Sequence, residues 1–141
     1  MLDKSGMFYA ALDADSEGEE GKYYVWTTSE TKKILGEDYD LASVYYQIGG
    51  KGKWEHGNNI LLREQSAADI ARQFKITEAE LALRIDTIDR KLLKVRSKRV
   101  PPGLDDKSLT AWNALLITGL CQAYKATGNN DYKTLAVNAM D

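Results

Sequence analysis

The feature that most constrains this chain is a stripe of apolar residues, Leu81, Ile85, Ile88, Leu92 and Val95, separated by 4, 3, 4 and 3 positions. That rhythm places all five on one face of an α-helix and leaves the intervening charged residues on the others. Thr77 and Glu80 stand just ahead of it in the spacing of a capping box, in which each side chain satisfies a backbone N–H near the other. A helix over 78–96 is therefore predicted. The repeat is too short for a coiled-coil seam, so the stripe must bury against neighbouring elements of a hairpin or bundle.

The rest of the chain supplies such neighbours. Thr27 and Glu30 repeat the capping signal and predict a helix over 28–35, stopped by Gly36. Leu41, Val44, Tyr45 and Ile48 make a second stripe over 38–47, broken by Gly49, Gly50 and Gly52. Ala67, Ile70, Ala71 and Phe74 make a third over 66–75. Pro101, Pro102 and Gly103 then force a loop before the most apolar helix, 108–127, which Gly128 closes. Asn129 to Asp131 cap a last helix, 131–140, predicted to be still running at Asp141. Its Leu135, Ala136, Ala139 and Met140 call for a covering helix. Strand signals are confined to 22–27 and 59–63, which are expected to pair. The fold class is mainly α with a small antiparallel β element. The helices pair through short Gly/Asn turns like αα-hairpins, without a fixed-period repeat, and the whole of 1–141 reads as a single domain fragment of a larger protein.

With 43% hydrophobic residues and three Trp in 141 positions, the chain can bury a core. A net charge of -2 argues against nucleic-acid or membrane binding by the chain as a whole. The basic run Arg90, Lys91, Lys94, Arg96, Lys98 and Arg99 complements a helix C-terminus, or else forms a phosphate patch, although no aromatics interleave with it. A lone Cys121 excludes an internal disulfide, and with His56 as the single histidine no zinc spacing exists. Cys121 falls inside an apolar run and is expected to be a buried thiol. No signal-like start or membrane-length apolar stretch is present, so a cytoplasmic, reducing setting is expected, with no cofactor and no metal.

The stretch Phe8 to Trp26 sets five acids, Asp13, Asp15, Glu17, Glu19 and Glu20, between aromatic flanks. Three readings stand open: a solvated turn, a calcium loop, or a substrate-facing loop whose carboxylates the aromatics hold in place. Against calcium, Tyr24 occupies the twelfth position, where an EF-hand needs a bidentate Glu.

Three motifs in order, GMFYAALDADSEGEEGKYYVW, GKWEHGNNILL and LDDKSLTAWNALLI, resemble the YyaL-type thioredoxin-domain proteins. The sequence departs from that pattern at Met7, where a second Gly is usual, and at Ala114, where the WNG form is commoner. The resemblance implies a thioredoxin-like domain beside a long helical region similar to the six-hairpin α/α toroids of sugar epimerases and glycosidases. This chain would then be a fragment of the toroid, contributing part of a cavity wall. No CxxC is present, so redox chemistry does not carry over. The positions to which the resemblance points are Asp13, Asp15, Glu17, Asp105 and Asp106 as candidate catalytic carboxylates, and Asn59, Lys107, Trp112 and Asn113 as substrate contacts. Implied partners are the remainder of the parent chain and a carbohydrate ligand; alternatively the piece is a non-catalytic helical module for interaction or scaffolding.

The residue types suit sugar handling, with carboxylates for acid/base work, amides for hydroxyls and Trp for stacking. They also suit plain structure, Asp105 and Asp106 capping the helix behind them and Trp112 packing in a core. One geometric expectation separates these readings: Lys107 should lie beside Asp13, Asp15 or Glu17, while Leu109, Trp112 and Leu116 bury their helix.

Overall fold

A computed structural model describes residues 1–140; position 141 lies outside them, and the last helix, predicted to be still running there, ends at Asn138. In chain order the elements are β1 (Ala11–Leu12), β2 (Asp15–Ser16), β3 (Glu19–Glu20), β4 (Trp26–Thr27), α1 (Thr28–Leu35), α2 (Tyr39–Tyr45), β5 (Asn58–Asn59), α3 (Ala67–Phe74), α4 (Glu78–Arg96), β6 (Leu104–Asp105), α5 (Thr110–Thr127) and α6 (Asn130–Asn138). The protein is mainly helical, and its strands form three short antiparallel pairs. Among the described residues no helix is long and apolar enough to cross a membrane. The chain partitions into two compact units, a central one from Asp15 to Pro101 and a split one made of Met1–Ala14 and the stretch from Pro102 onward.

In the central unit, α1 and α3 pack on α4, and α2 packs on α1 and α3. Leu81, Ile85, Ile88 and Leu92 of its stripe are buried, with Trp26, Leu35, Leu41, Ala42, Tyr45, Ile70 and Ala71 completing the core. The capping box of α4 is complete: Thr77 Oγ1 accepts the Glu80 N–H at 3.1 Å, and Glu80 accepts the Thr77 N–H at 2.9 Å. At α1 only half the box forms. Thr27 accepts the Glu30 N–H at 3.1 Å, but the Glu30 carboxylate turns to the Arg99 guanidinium at 2.9 Å, since a charge-assisted donor outcompetes a neutral amide. Ahead of α2, a 3-10 turn at Gly36–Asp38 places Asp38 against α4. Its carboxylate bridges Arg84 and Lys91, each at 2.9 Å. The strand pair β4–β5 joins Trp26 to Asn59 and Thr27 to Asn58, and is shorter than the predicted spans 22–27 and 59–63. The flanking amides go elsewhere: Tyr24 and Val25 donate to Gly21 O within a turn, Ile60 to Gly52 O and Leu62 to Tyr46 O. At the ends of this unit, the buried Ser16 hydroxyl donates to Val100 O at 2.6 Å.

In the split unit, β1 pairs with β6, setting Ala11 opposite Asp105 and Leu12 opposite Leu104. Helices α5 and α6 form an αα-hairpin whose turn uses Gly128 at φ 70 and the Asn129 cap, which accepts the Asp131 N–H at 2.9 Å. The N-terminal segment folds on itself through a Leu2–Phe8 bridge. Gly6, at φ 95, lies so close to the Asn138 carbonyl oxygen that a Cβ there would collide with it.

Several expectations for α5 are corrected here. Cys121 is exposed rather than buried. Leu109, Trp112 and Leu116 are 36%, 55% and 39% exposed rather than packed. A helix this apolar has more greasy surface than one hairpin partner and the N-terminal segment cover. Asp105 and Asp106 do not cap it either. Asp105 lies in β6, the helix begins at Thr110, and its N-cap, Leu109, offers no side-chain acceptor.

Candidate functional site

The acidic stretch resolves into a hairpin. Strands β2 and β3 pair Asp15 with Glu20 and Ser16 with Glu19, and the two-residue turn between them, Glu17 and Gly18, has φ of 54° and 77°. Two successive positive φ values are the type I′ geometry that suits the twist of paired strands. Lys22 tempers two of the acids, lying 3.4 Å from Glu17 and 3.8 Å from Glu19.

Behind the hairpin, Arg99 organises the central unit's main cleft. One guanidinium nitrogen donates to Tyr23 O at 2.9 Å and Val25 O at 2.7 Å, the other to both Glu30 oxygens at 2.9 and 3.0 Å. The guanidinium carbon lies over the Trp26 ring, 4.1 Å from its centre, so hydrogen bonding and cation–π attraction act on the same group. The cleft is about 450 Å³ and is lined by the hairpin acids Glu17 and Glu19, by Lys22, Tyr23, Glu30, Asn58, Lys98 and Arg99, among others.

In the split unit the nominated residues meet differently. Lys107 Nζ lies 2.5 Å from Asp105 Oδ1, and its side-chain and backbone hydrogen bonds hold the Asp105 carboxyl below its ordinary value. Chain proximity explains the choice, because pairing residues two apart closes a minimal loop. Asp13 and Lys107 do line one shallow cleft of about 570 Å³ together with Gly103 and Asp105. Asp13 N donates to Gly103 O at 2.7 Å and Ala10 N to Lys107 O at 2.8 Å, extending the β1–β6 pairing to both sides. Asp106 is exposed, and Trp112 presents its ring outward. Asn113 is buried and grips the backbone of Phe8 on both sides: Oδ1 accepts its N–H at 2.8 Å, and Nδ2 donates to its carbonyl at 3.0 Å.

Asn59, also nominated, is 1% exposed; its amide donates to Trp26 O at 2.9 Å and accepts from Gly49 N at 2.7 Å. The neighbouring Asn58 escaped nomination. Strand alternation was the available signal, since if Asn59 faces inward then Asn58 faces the other way. Arg99, Glu30 and Lys98 were missed because the basic run reads equally well as helix-end charge, and nothing local says that one of its members turns back onto Trp26. Among the described residues no group of three or more metal-binding side chains converges.

The class thus defined is a helical protein with short strand pairs and a polar cleft in each unit. No family model matches the chain. It is similar to an uncharacterised protein of Caenorhabditis elegans, 33% identical across 92% of this chain and 21% of that protein. It is also similar to spermatogenesis-associated protein 20 of Homo sapiens, 32% identical across 89% of the chain and 19% of the relative, and to the Mus musculus protein of that name at 30%. The chain spans about a fifth of the length of these relatives.

Proposed function

We propose that this chain is a stretch of an α/α-hairpin toroid within a longer polypeptide of the YyaL type, and that the toroid's cavity acts on carbohydrate. The observation that carries the reading is the α5–α6 hairpin with its outward apolar side chains, Leu115 at 72% exposed and Trp112 at 55%. Such a helix is stable when further helices cover it, as in an array of hairpins. The greater length of the relatives supports the longer polypeptide. The carboxylates Asp13 and Asp105 on the split unit's cleft supply the groups that sugar chemistry uses. Asp15, Asp106, Lys107 and Trp112 remain candidates for the same work. Titrating mono- and oligosaccharides into the full-length polypeptide while following Trp54 and Trp112 fluorescence tests the reading, and a saturable change with at least one sugar is expected.

A second reading, a non-catalytic helical module, is favoured by one specific observation. The amides of Asn59 and Asn113 are engaged with backbone and Lys107 is engaged with Asp105, so three nominated substrate contacts are already occupied. Silence across a broad sugar panel, with the fold intact, selects this reading.

A further inference from the structure

The cleft of the central unit carries an imbalance that its own ion pairs leave behind. Its charged lining comprises Glu17, Glu19 and Glu30 against Lys22, Lys98 and Arg99. Arg99 and Glu30 satisfy one another at 2.9 and 3.0 Å, and Arg99 is further held by two backbone carbonyls. Lys22 is shared between Glu17 and Glu19 at 3.4 and 3.8 Å, longer than a hydrogen bond, so one cation serves two carboxylates. Lys98 has no ion-pair partner among the described residues. One negative and one positive charge thus remain uncompensated on the wall of a single cleft.

Two further groups line the cleft. Asn58 is half-buried on β5, and its carboxamide makes no hydrogen bond to any described residue. Tyr23 offers a ring fixed edge-to-face against Tyr24, with centroids 5.0 Å apart. A rigid I′ hairpin on one side and the β4–β5 pair on the other hold these groups in place. The cleft volume of about 450 Å³ falls within the range of small-molecule sites.

From this arrangement we propose that the cleft binds a small zwitterion of free-amino-acid to dipeptide size. Its carboxylate is taken by Lys98 and the Asn58 Nδ2, and its ammonium by the surplus carboxylate of the Glu17–Glu19 pair. Neither a plain anion nor a plain cation satisfies both charges, and a neutral polyol satisfies neither. The site does not rest on the carbohydrate reading, because none of its contacts requires a toroid.

The test is titration of glycylglycine into the 141-residue chain, followed by the Asn58 side-chain amide signal in heteronuclear NMR. A saturable shift is expected, weakened by added salt. Acetate and ethylammonium, each bearing one of the two charges, should bind about tenfold more weakly or worse. Lys98→Gln and the double change Glu17→Gln with Glu19→Gln should each cost about tenfold in affinity. Both alter exposed side chains, and an unchanged circular dichroism spectrum confirms their folding. Three results overturn the proposal: no saturable shift with glycylglycine, acetate binding as tightly as the dipeptide, or glucose saturating the same signal with Lys98→Gln without effect.

Discussion

At the scale of single residues, Arg99 and Asp38 show how one charged side chain can hold several parts of the backbone. Arg99 takes up two carbonyls, a carboxylate and an indole face, a combination of planar fork and delocalised charge that an ammonium does not reproduce. Arg99→Lys is therefore expected to cost about 2 kcal/mol in urea unfolding, despite keeping the charge. Asp38 sits between Lys91 and Arg84, whose hydrogen bonds, Lys91 first, hold its carboxyl below the ordinary value of 3.8. A depressed carboxyl favours the native state above its unfolded-state value, and that contribution is lost as pH falls through the lower native value. Asp38→Asn should thus cost about 1 kcal/mol at neutral pH, the bases being partly exposed, and the difference from the parent should shrink below the ordinary value of 3.8. Paired unfolding curves at neutral and acid pH measure both numbers. Neither residue's role was visible in sequence. Asp38 reads as a helix-start acid and Arg99 as one of a basic run, because both partnerships span dozens of positions and leave no periodic trace.

At the scale of elements, legibility followed the local character of the signal. Helix α4 was readable because its stripe and its capping box both lie within its own span and agree. The strand pair β4–β5 was readable in existence but not in length, since the amides beside it are claimed by turns and by Gly52, partners set by the tertiary fold. The acidic hairpin was read as a loop, although Glu-Gly between two short acidic runs carries the two positive φ values of a I′ turn. Here a prediction follows from conformation alone. Glu17 holds φ 54° without the side chain best suited to it, so Glu17→Asn should raise stability by about 0.5 kcal/mol, read as a small rise in Tm. The apolar helix α5 was correctly placed but wrongly imagined as covered. Hydrophobicity says that a face wants a partner, and it is silent on whether this stretch of chain contains one.

For the molecule as a whole, the sequence conveys a helical protein and a resemblance. It does not convey that the two ends of the central unit meet, because their pairing is long-range and leaves no local trace. All eleven members of the buried core cluster, Trp26 through Leu92, lie between Asp15 and Pro101. Residues 15–101 expressed alone should accordingly melt as one cooperative helical unit by circular dichroism. The Ser16 to Val100 hydrogen bond has a second meaning for such a piece. It sets the second and the penultimate residues of the unit side by side, so the order in which the polypeptide is written becomes a matter of convenience. A few glycines joining 101 to 15, with new termini cut at the exposed Glu64–Gln65 loop, would give a circular permutant that keeps every helix and the core between them.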